Sequence, residues 1–322
     1  MSSQSSQGGG KIRVSVQKAG PLDTGEIAQT MKTIKTKFAI MSGKGGVGKS
    51  FVTASLALGF AMRGYRVGIL DADVYGPTIP KLLGLVGANL YLSEDEKIIP
   101  AEGPFGIKVV SMDFLLPTDD TAVIWRGGPL VDRAIKDFLG NVRWGGELDA
   151  LFIDLPPGTG DAPLTIAQAL ANEMTGSIIV TAPSDVSKRI VQKAIDFSRK
   201  VKIPITGVIE NMCCFYCPES GKTYYIFGKL IGKEMADKYG VPYLGMIPPL
   251  DPRIGESNDL GEPFLMKYST SDTARAILSI VDTIIAMYRD RLEAKVEAPP
   301  AKKQIKSLLR LPGEEEENQE ES

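Results

Sequence analysis

The 322-residue chain is expected to fold as a doubly wound α/β protein, a mostly parallel sheet with helices on both faces. Three observations lead there. A glycine-rich loop joins an apolar strand to an apolar helix within residues 36–62. Short apolar segments then alternate with helical patterns as far as residue 292. Several of those segments are continuous apolar runs, as strands covered on both faces should be.

The first unit sets the pattern. Thr36–Ser42 (TKFAIMS) reads as a buried strand and Ser50–Met62 (SFVTASLALGFAM) as a helix. Between them Gly43-Lys44-Gly45-Gly46-Val47-Gly48-Lys49-Ser50 fits G-x-x-x-x-G-K-[ST], the phosphate-binding P-loop, with a second lysine, Lys44, inside it. The glycines let successive backbone N–H groups converge on one anion. Lys49 supplies a charge for the β- and γ-phosphates, and the Ser50 hydroxyl is a ligand for Mg²⁺. A strand, a glycine loop and a helix N-terminus in that order make the anion site that a triphosphate needs.

Further strands are expected at Arg66–Asp71, Ile107–Met112, Ala150–Asp154, Ser177–Thr181, Ile205–Ile209 and Tyr243–Met246. Helical patterns lie at Pro77–Leu85, Pro129–Leu139, Ala162–Ala171, Ser184–Val201, Lys229–Tyr239 and Ser271–Leu292. No internal repeat is evident. Residues 1–35 read as a polar, flexible leader in which Lys11–Gln17 alternates like an edge strand or stays disordered. Residues 36–292 form the expected ATPase domain. Residues 293–322 read as a disordered acidic tail with one amphipathic stretch at Lys302–Leu311.

Composition narrows the chemistry. Apolar residues are 43% of the chain, ample for a packed core. The formal charge of −2 includes six glutamates in Glu314–Ser322; without them 37 bases face 33 acids, a net of +4. That gives no broad basic field, so nucleic acid is not an expected partner. There is no histidine, which excludes Ser-His-Asp and Cys-His mechanisms and a histidine-bound zinc. The three cysteines, Cys213, Cys214 and Cys217, lie within five residues, an arrangement for a reducing cytoplasm and not for a disulfide framework. Residues 1–10 are polar and lack a signal-peptide core, and no apolar run reaches membrane-spanning length.

Carboxylates stand where strands should end. Asp71 and Asp73 (LDADVYGP) follow the second strand, and Asp154 (FIDLPPGTGD) closes a later one at the position of a Walker B acid. Ligands of open α/β sheets gather at the carboxyl ends of the strands, so both sites should face the loop and hold Mg²⁺ or its waters. Asp73 also suits a plain turn or helix cap. Gly158, in Gly158-Thr159-Gly160, offers a backbone N–H near the γ-phosphate.

Taken together, GKGGVGKS (43–50), DADVYGP (71–77), WRGG (125–128), WGG (144–146), DLPPGTGD (154–161) and ENM (210–212) resemble the Mrp/NBP-type (ApbC-like) P-loop ATPases of the deviant Walker A superfamily, which carry iron–sulfur clusters. The motifs run in family order from about residue 36 to 290. The resemblance implies a homodimer with nucleotide near the interface, Lys44 reaching the partner's phosphates, Asp73 orienting the attacking water, and Asn211 contacting the purine, with ATP as the nucleotide. It also implies apo iron–sulfur proteins as recipients.

Cys214-Phe215-Tyr216-Cys217 is a C-x-x-C pair, half of a four-thiolate site; a symmetric dimer would complete a bridging [4Fe–4S] cluster. Here the chain departs from the family. The usual C-P-x-C begins at the position of Cys217, but this chain reads Cys217-Pro218-Glu219-Ser220. Cys214 and Cys217 are therefore the expected cluster ligands, with a zinc–thiolate site and a metal-free remnant as alternatives. The leading expectation is an ATP-hydrolysing cluster carrier, slow without a partner. A partitioning or positioning ATPase without a cluster is the alternative, and a non-hydrolysing nucleotide binder is a third.

Overall fold

The computed structural model describes residues 24–73, 76–115, 128–158, 160–170, 173–217, 219–248 and 251–294. In chain order the elements begin with α1 (Thr24–Lys32), β1 (Ile34–Met41), α2 (Lys49–Ala61), β2 (Val67–Asp71) and α3 (Ile79–Leu82). There follow β3 (Tyr91–Leu92), β4 (Ile98–Ile99), β5 (Ala101–Glu102), β6 (Lys108–Ser111), α4 (Gly128–Gly140), β7 (Leu148–Asp154), α5 (Asp161–Ala169), β8 (Gly176–Thr181) and α6 (Asp185–Lys200). The chain continues through β9 (Ile205–Glu210), β10 (Phe215–Tyr216), β11 (Thr223–Tyr224), α7 (Gly232–Tyr239), β12 (Tyr243–Met246), α8 (Pro252–Leu260), α9 (Phe264–Lys267), α10 (Asp272–Met287) and α11 (Arg289–Glu293).

Eight strands form one sheet in the order β12-β9-β8-β1-β7-β2-β6-β5. Every pairing is parallel except the edge pair β5–β6. This is the predicted doubly wound fold. The registers set Asp71 beside Asp154, Ile40 beside Asp154, and Thr181 beside Glu210, so the carboxyl ends of the central strands stand level.

Side chains of one strand alternate between two covers. Ile178 and Val180 join the main core while Ile179 packs with Val191, Ala194 and Ile195 of α6 and with Met235 and Ala236 of α7. Helix α2 is apolar almost all round because it lies between the sheet and α10. Gly59 permits that approach: a Cβ there would sit 2.6 Å from a Val281 methyl. Phe38, Phe60 and Phe152 form the centre, with Phe152 5.5 Å from Phe38 and 5.2 Å from Phe60 between ring centroids.

Several boundaries differ from the sequence reading. The packed core begins before residue 36, since α1 buries Ile27 and Met31. The stretch 271–292 is two helices broken at Tyr288, and α7 starts at Gly232 instead of Lys229. Trp144 of the WGG motif is a buried core residue, with Gly68 making room for its ring; a Cβ on Gly68 would lie 3.0 Å from it. Lys11–Gln17, Trp125–Gly127, Thr159 and Lys302–Leu311 lie outside the described residues. Among the described residues no helix is long and apolar enough to cross a membrane.

Candidate functional site

The loop between β1 and α2 holds its shape through backbone conformations that only glycine adopts easily. Gly46 and Gly48 have φ of 77° and 76°, in the left-handed region. Gly48 is also the N-cap of α2, and no side chain caps that end, so the first N–H groups of the helix face the loop's hollow. Gly43 serves a different purpose. A Cβ on it would lie 2.0 Å from the Ile190 Cγ2 and 2.7 Å from the Ile190 carbonyl oxygen, so it lets α6 pass close behind the loop. Lys44, Gly45 and Gly46 are exposed, whereas Val47 and Lys49 are buried. The Ser42 hydroxyl donates to the Lys44 carbonyl at 3.0 Å, and the Gly158 amide donates to the Ser42 carbonyl at 2.9 Å, placing Gly158 against the loop's entrance.

Asp154 is the electrostatic centre. Its carboxylate is fully buried at the end of β7. The Lys49 ammonium lies 2.6 Å from Oδ2, and the Ser50 hydroxyl donates to the same oxygen at 2.6 Å. Asp73 closes the arrangement, with Oδ2 3.8 Å from the Lys49 Nζ. The structure thus brings together Lys49, Ser50, Asp73 and Asp154, drawn from the start of α2, the turn after β2 and the end of β7. These are hard oxygen donors beside a lysine, a set that fits Mg²⁺. Ser50 would hold the ion directly, with Asp73 and Asp154 holding its waters.

One residue of this centre escapes the sequence reading, and another takes a different role. Thr53, one turn into α2, donates from Oγ1 to Asp154 Oδ1 at 2.5 Å and is fully buried. It fixes the carboxylate oxygen that Lys49 and Ser50 leave alone. Asp71, expected as a direct participant, is instead a buried brace. It accepts from the Ser111 hydroxyl at 3.0 Å, the Asp73 amide at 3.2 Å and the Ile79 amide at 3.4 Å. Burial, and next the nearby Asp154 charge, push its carboxyl up to about 8.

Asn211 stands just past the end of β9. The Asn211 side-chain amide donates to the Val47 carbonyl at 2.9 Å, and its backbone amide donates to the Thr181 carbonyl at 2.8 Å. Asn211 therefore touches the loop itself. The next residue, Met212, has φ of 56°, a turn that a non-glycine residue seldom makes.

That turn leads into the cysteines. Cys213 and Cys214 are buried, with their sulfurs 3.1 Å apart. Burial pushes the Cys213 thiol above its ordinary range. Cys217 is half-buried and closes the turn between β10 and β11, donating its amide to the Lys222 carbonyl at 2.9 Å. The Ser220 hydroxyl, then the Ser220 and Glu219 amides, hold the Cys217 thiol below its ordinary range. Ser220, where a second cysteine was expected, thus lies beside the Cys217 thiol and favours its thiolate form. Among the described residues no three His, Cys, Asp or Glu side chains group to hold a metal within one chain.

A glycine loop at a helix N-terminus, a buried strand-end aspartate and an intervening lysine define a P-loop nucleotide-binding protein. The family model described as ParA, NUBPL iron-transfer P-loop NTPase, matches residues 33–285, and the chain belongs to that family. It is 54% identical over 260 residues to the iron–sulfur cluster carrier protein of Saccharolobus solfataricus, covering 81% of this chain and 86% of that one. The carrier protein of Aquifex aeolicus is 47% identical over 251 residues, 78% of this chain and 67% of that one. Among solved structures, the nucleotide-binding protein of Archaeoglobus fulgidus in complex with ADP is 39% identical with a TM-score of 0.67, covering 78% and 96% of the two chains. The septum site-determining protein MinD of Pyrococcus horikoshii, with Mg-ADP, shares the fold at 22% identity and a TM-score of 0.56, over 80% and 99% of the chains.

Proposed function

We propose that this protein is an ATP-dependent iron–sulfur cluster carrier: a homodimer that binds and hydrolyses ATP, holds a [4Fe–4S] cluster as cargo between subunits, and passes it to apo-proteins. The observation that carries the reading is a complete nucleotide centre joined through one short turn, Asn211–Cys213, to a cluster of thiols. The carrier names of its close relatives, at up to 54% identity, support it.

The residues divide the work as follows. The uncapped start of α2 and the 43–48 loop bind the phosphates of ATP. Lys49 would exchange its partner, Asp154, for phosphate charge, and Ser50 would hold Mg²⁺, which would neutralise that charge. Asp73, beside Lys49, orients a water for attack. Lys44 stays exposed for the phosphates of a partner subunit, where a positive charge stabilises the transition state. Asn211 trades its bond to Val47 for the adenine. Cys214 and Cys217 supply two thiolates per chain, and a second copy supplies the other two.

Anaerobic loading with iron and sulfide tests the reading. The expected result is a visible cluster absorbance with iron and acid-labile sulfide bound per dimer, lost in Cys214→Ala and Cys217→Ala while ATP binding persists. An iron-free protein with normal ATP binding would defeat it, and would favour the positioning-type switch. Lys49→Ala should abolish ATP turnover, and Lys44→Ala should lower turnover more than nucleotide affinity.

A further inference from the structure

The outer face of α6 is cationic. Its inner face buries Ser187, Val191, Ala194, Ile195 and Ser198 against the sheet and α7. Residues 185–202, the helix and the turn after it, carry six basic side chains against two acidic ones, a net of +4. Two of the six are engaged. Lys188 pairs with Asp185 and Glu234 at 3.5 and 3.0 Å, and Arg199 donates to the Tyr239 carbonyl at 2.6 Å. The other four, Arg189, Lys193, Lys200 and Lys202, are exposed and form no ion pair among the described residues. At 100° per residue, Arg189, Lys193 and Lys200 fall within about 40° around the helix axis. They make one stripe, with Asp196 the sole acid among them. Like charges at i and i+4, as Arg189 and Lys193 are, repel, and an anion laid along them offsets that cost.

The chain carries such an anion, and the path to it begins beside this helix. Helix α11 ends next to the start of β1, where the Leu292 carbonyl accepts from the Lys35 ammonium at 2.7 Å. Just before α11, the Tyr288 hydroxyl lies 2.9 Å from the Thr206 Oγ1 at the start of β9. The turn 201–204 that leaves α6 enters β9 at the same place, and the Pro204 carbonyl accepts from the Ser177 amide at 2.8 Å. Ala294, where the described chain ends, and the Lys200 end of α6 therefore stand at one end of the sheet. Twenty residues beyond Ala294 begin six glutamates, at 314–317, 320 and 321. Twenty residues span at most about 70 Å, and α6 is about 24 Å long, so the whole stripe is within reach.

We propose that the glutamates of residues 314–321 dock on the α6 stripe of their own chain and screen it from other polyanions. The inference is independent of the cluster reading. Four unpaired cations face six acids, so the charges are complementary. Exposed ion pairs are individually weak, and a free peptide would hold poorly. A segment joined to its site by its own backbone needs little affinity to occupy it. The stripe also adjoins the nucleotide loop, because Ile190, next to Arg189, packs against Gly43. The tail thus acts as an internal competitor, which a nucleic acid must displace before it lies along α6.

The test is zero-length carbodiimide coupling of the full chain, which joins a lysine to a carboxylate in contact with it, read by mass spectrometry. Lys32, exposed at the same end of the sheet, is the reference. The expected result is tail glutamates coupled to Lys193, Lys200 or Lys202 at more than about fivefold the Lys32 yield at low salt, falling to the Lys32 level at about 0.5 M salt. Arg189→Glu/Gln192→Glu keeps all three lysines and should lower the Lys193 yield more than about threefold. Equal yields at Lys32 and at the stripe overturn the proposal, as does coupling that salt and the Arg189→Glu/Gln192→Glu variant leave unchanged. Coupling between light and heavy chains in an isotope-mixed sample, in place of coupling within one chain, also overturns it. A stripe that couples no tail but shifts a DNA duplex, with the shift lost in Lys193→Glu/Lys200→Glu, would assign α6 to nucleic acid and overturn it.

Discussion

Thr53→Val removes one hydroxyl and keeps the side chain's shape. That hydroxyl lies 2.5 Å from Asp154 Oδ1 and 3.1 Å from the Lys49 carbonyl; with one proton to give, the charged, nearer oxygen takes it. Both residues are fully buried, so no water replaces the lost donor. A hydrogen bond to a buried charge is worth roughly 1.5–3 kcal/mol. In the nucleotide-free site Asp154 keeps Lys49 and Ser50 as partners, each at 2.6 Å. Once those two turn to phosphate and Mg²⁺, Thr53 is the donor that stays. The variant should therefore weaken the Mg²⁺-dependent state more than the empty one, by about 2 kcal/mol, or about thirtyfold in apparent Mg²⁺ affinity. Titrating Mg²⁺ against bound fluorescent ATP measures this directly, with nucleotide binding in EDTA as the control that should not move. Thr53→Ser restores the hydroxyl and should restore the Mg²⁺ response. If Thr53→Val melts earlier yet keeps its Mg²⁺ affinity within about twofold, the residue is packing alone and the argument for it as a positioning residue fails.

Three further outcomes follow from the same geometry. Gly48→Ala must hold φ near 76° and place a Cβ 2.3 Å from the Asn211 side-chain nitrogen; ATP affinity should fall at least about tenfold in calorimetry with the fold retained. Gly43→Ala and Gly45→Ala should separate, because the first meets Ile190 and the second meets nothing within 4 Å: thermal denaturation should show the first losing about 2 kcal/mol and the second about none. Asp71, pushed up to about 8, binds a proton in the folded state at pH values where the unfolded chain has released it. Its contribution therefore holds at low pH and drains away as pH rises from about 4 to 8, by at most about 1.4 kcal/mol per unit. Urea melts of nucleotide-free wild type should weaken across that window, and Asp71→Asn should flatten the slope; an unchanged slope refutes the burial argument.

The fold and the loop were legible because their signals are local. A strand buried on both faces is a continuous apolar run, and a phosphate loop is eight contiguous residues. Lys49, Ser50, Asp73 and Asp154 could be placed together because strand-end carboxylates in this architecture share one edge of the sheet. Thr53 was invisible, since a threonine in an apolar helix reads as filler and its partner is 101 residues away. Asp71 and Asp73 look alike in sequence, and only the Ser111, Asp73 and Ile79 donors around Asp71 make it a brace. The two-residue strands β3, β4, β5, β10 and β11 are too short to show any period. Tyr224–Phe227 resembles a core strand by composition; its exposure is decided by what does not pack over it.

The turn at Met212 has an experimental corollary. Two peptide units separate the amide that grips the loop from the first sulfur, so dissecting the molecule residue by residue will not cleanly divide its chemistry. A lesion at Asn211 should disturb thiol reactivity, and a substitution at Cys213 should alter nucleotide binding. Assays that monitor only nucleotide or only metal will misattribute such effects, and paired readouts on every variant in this turn are the remedy.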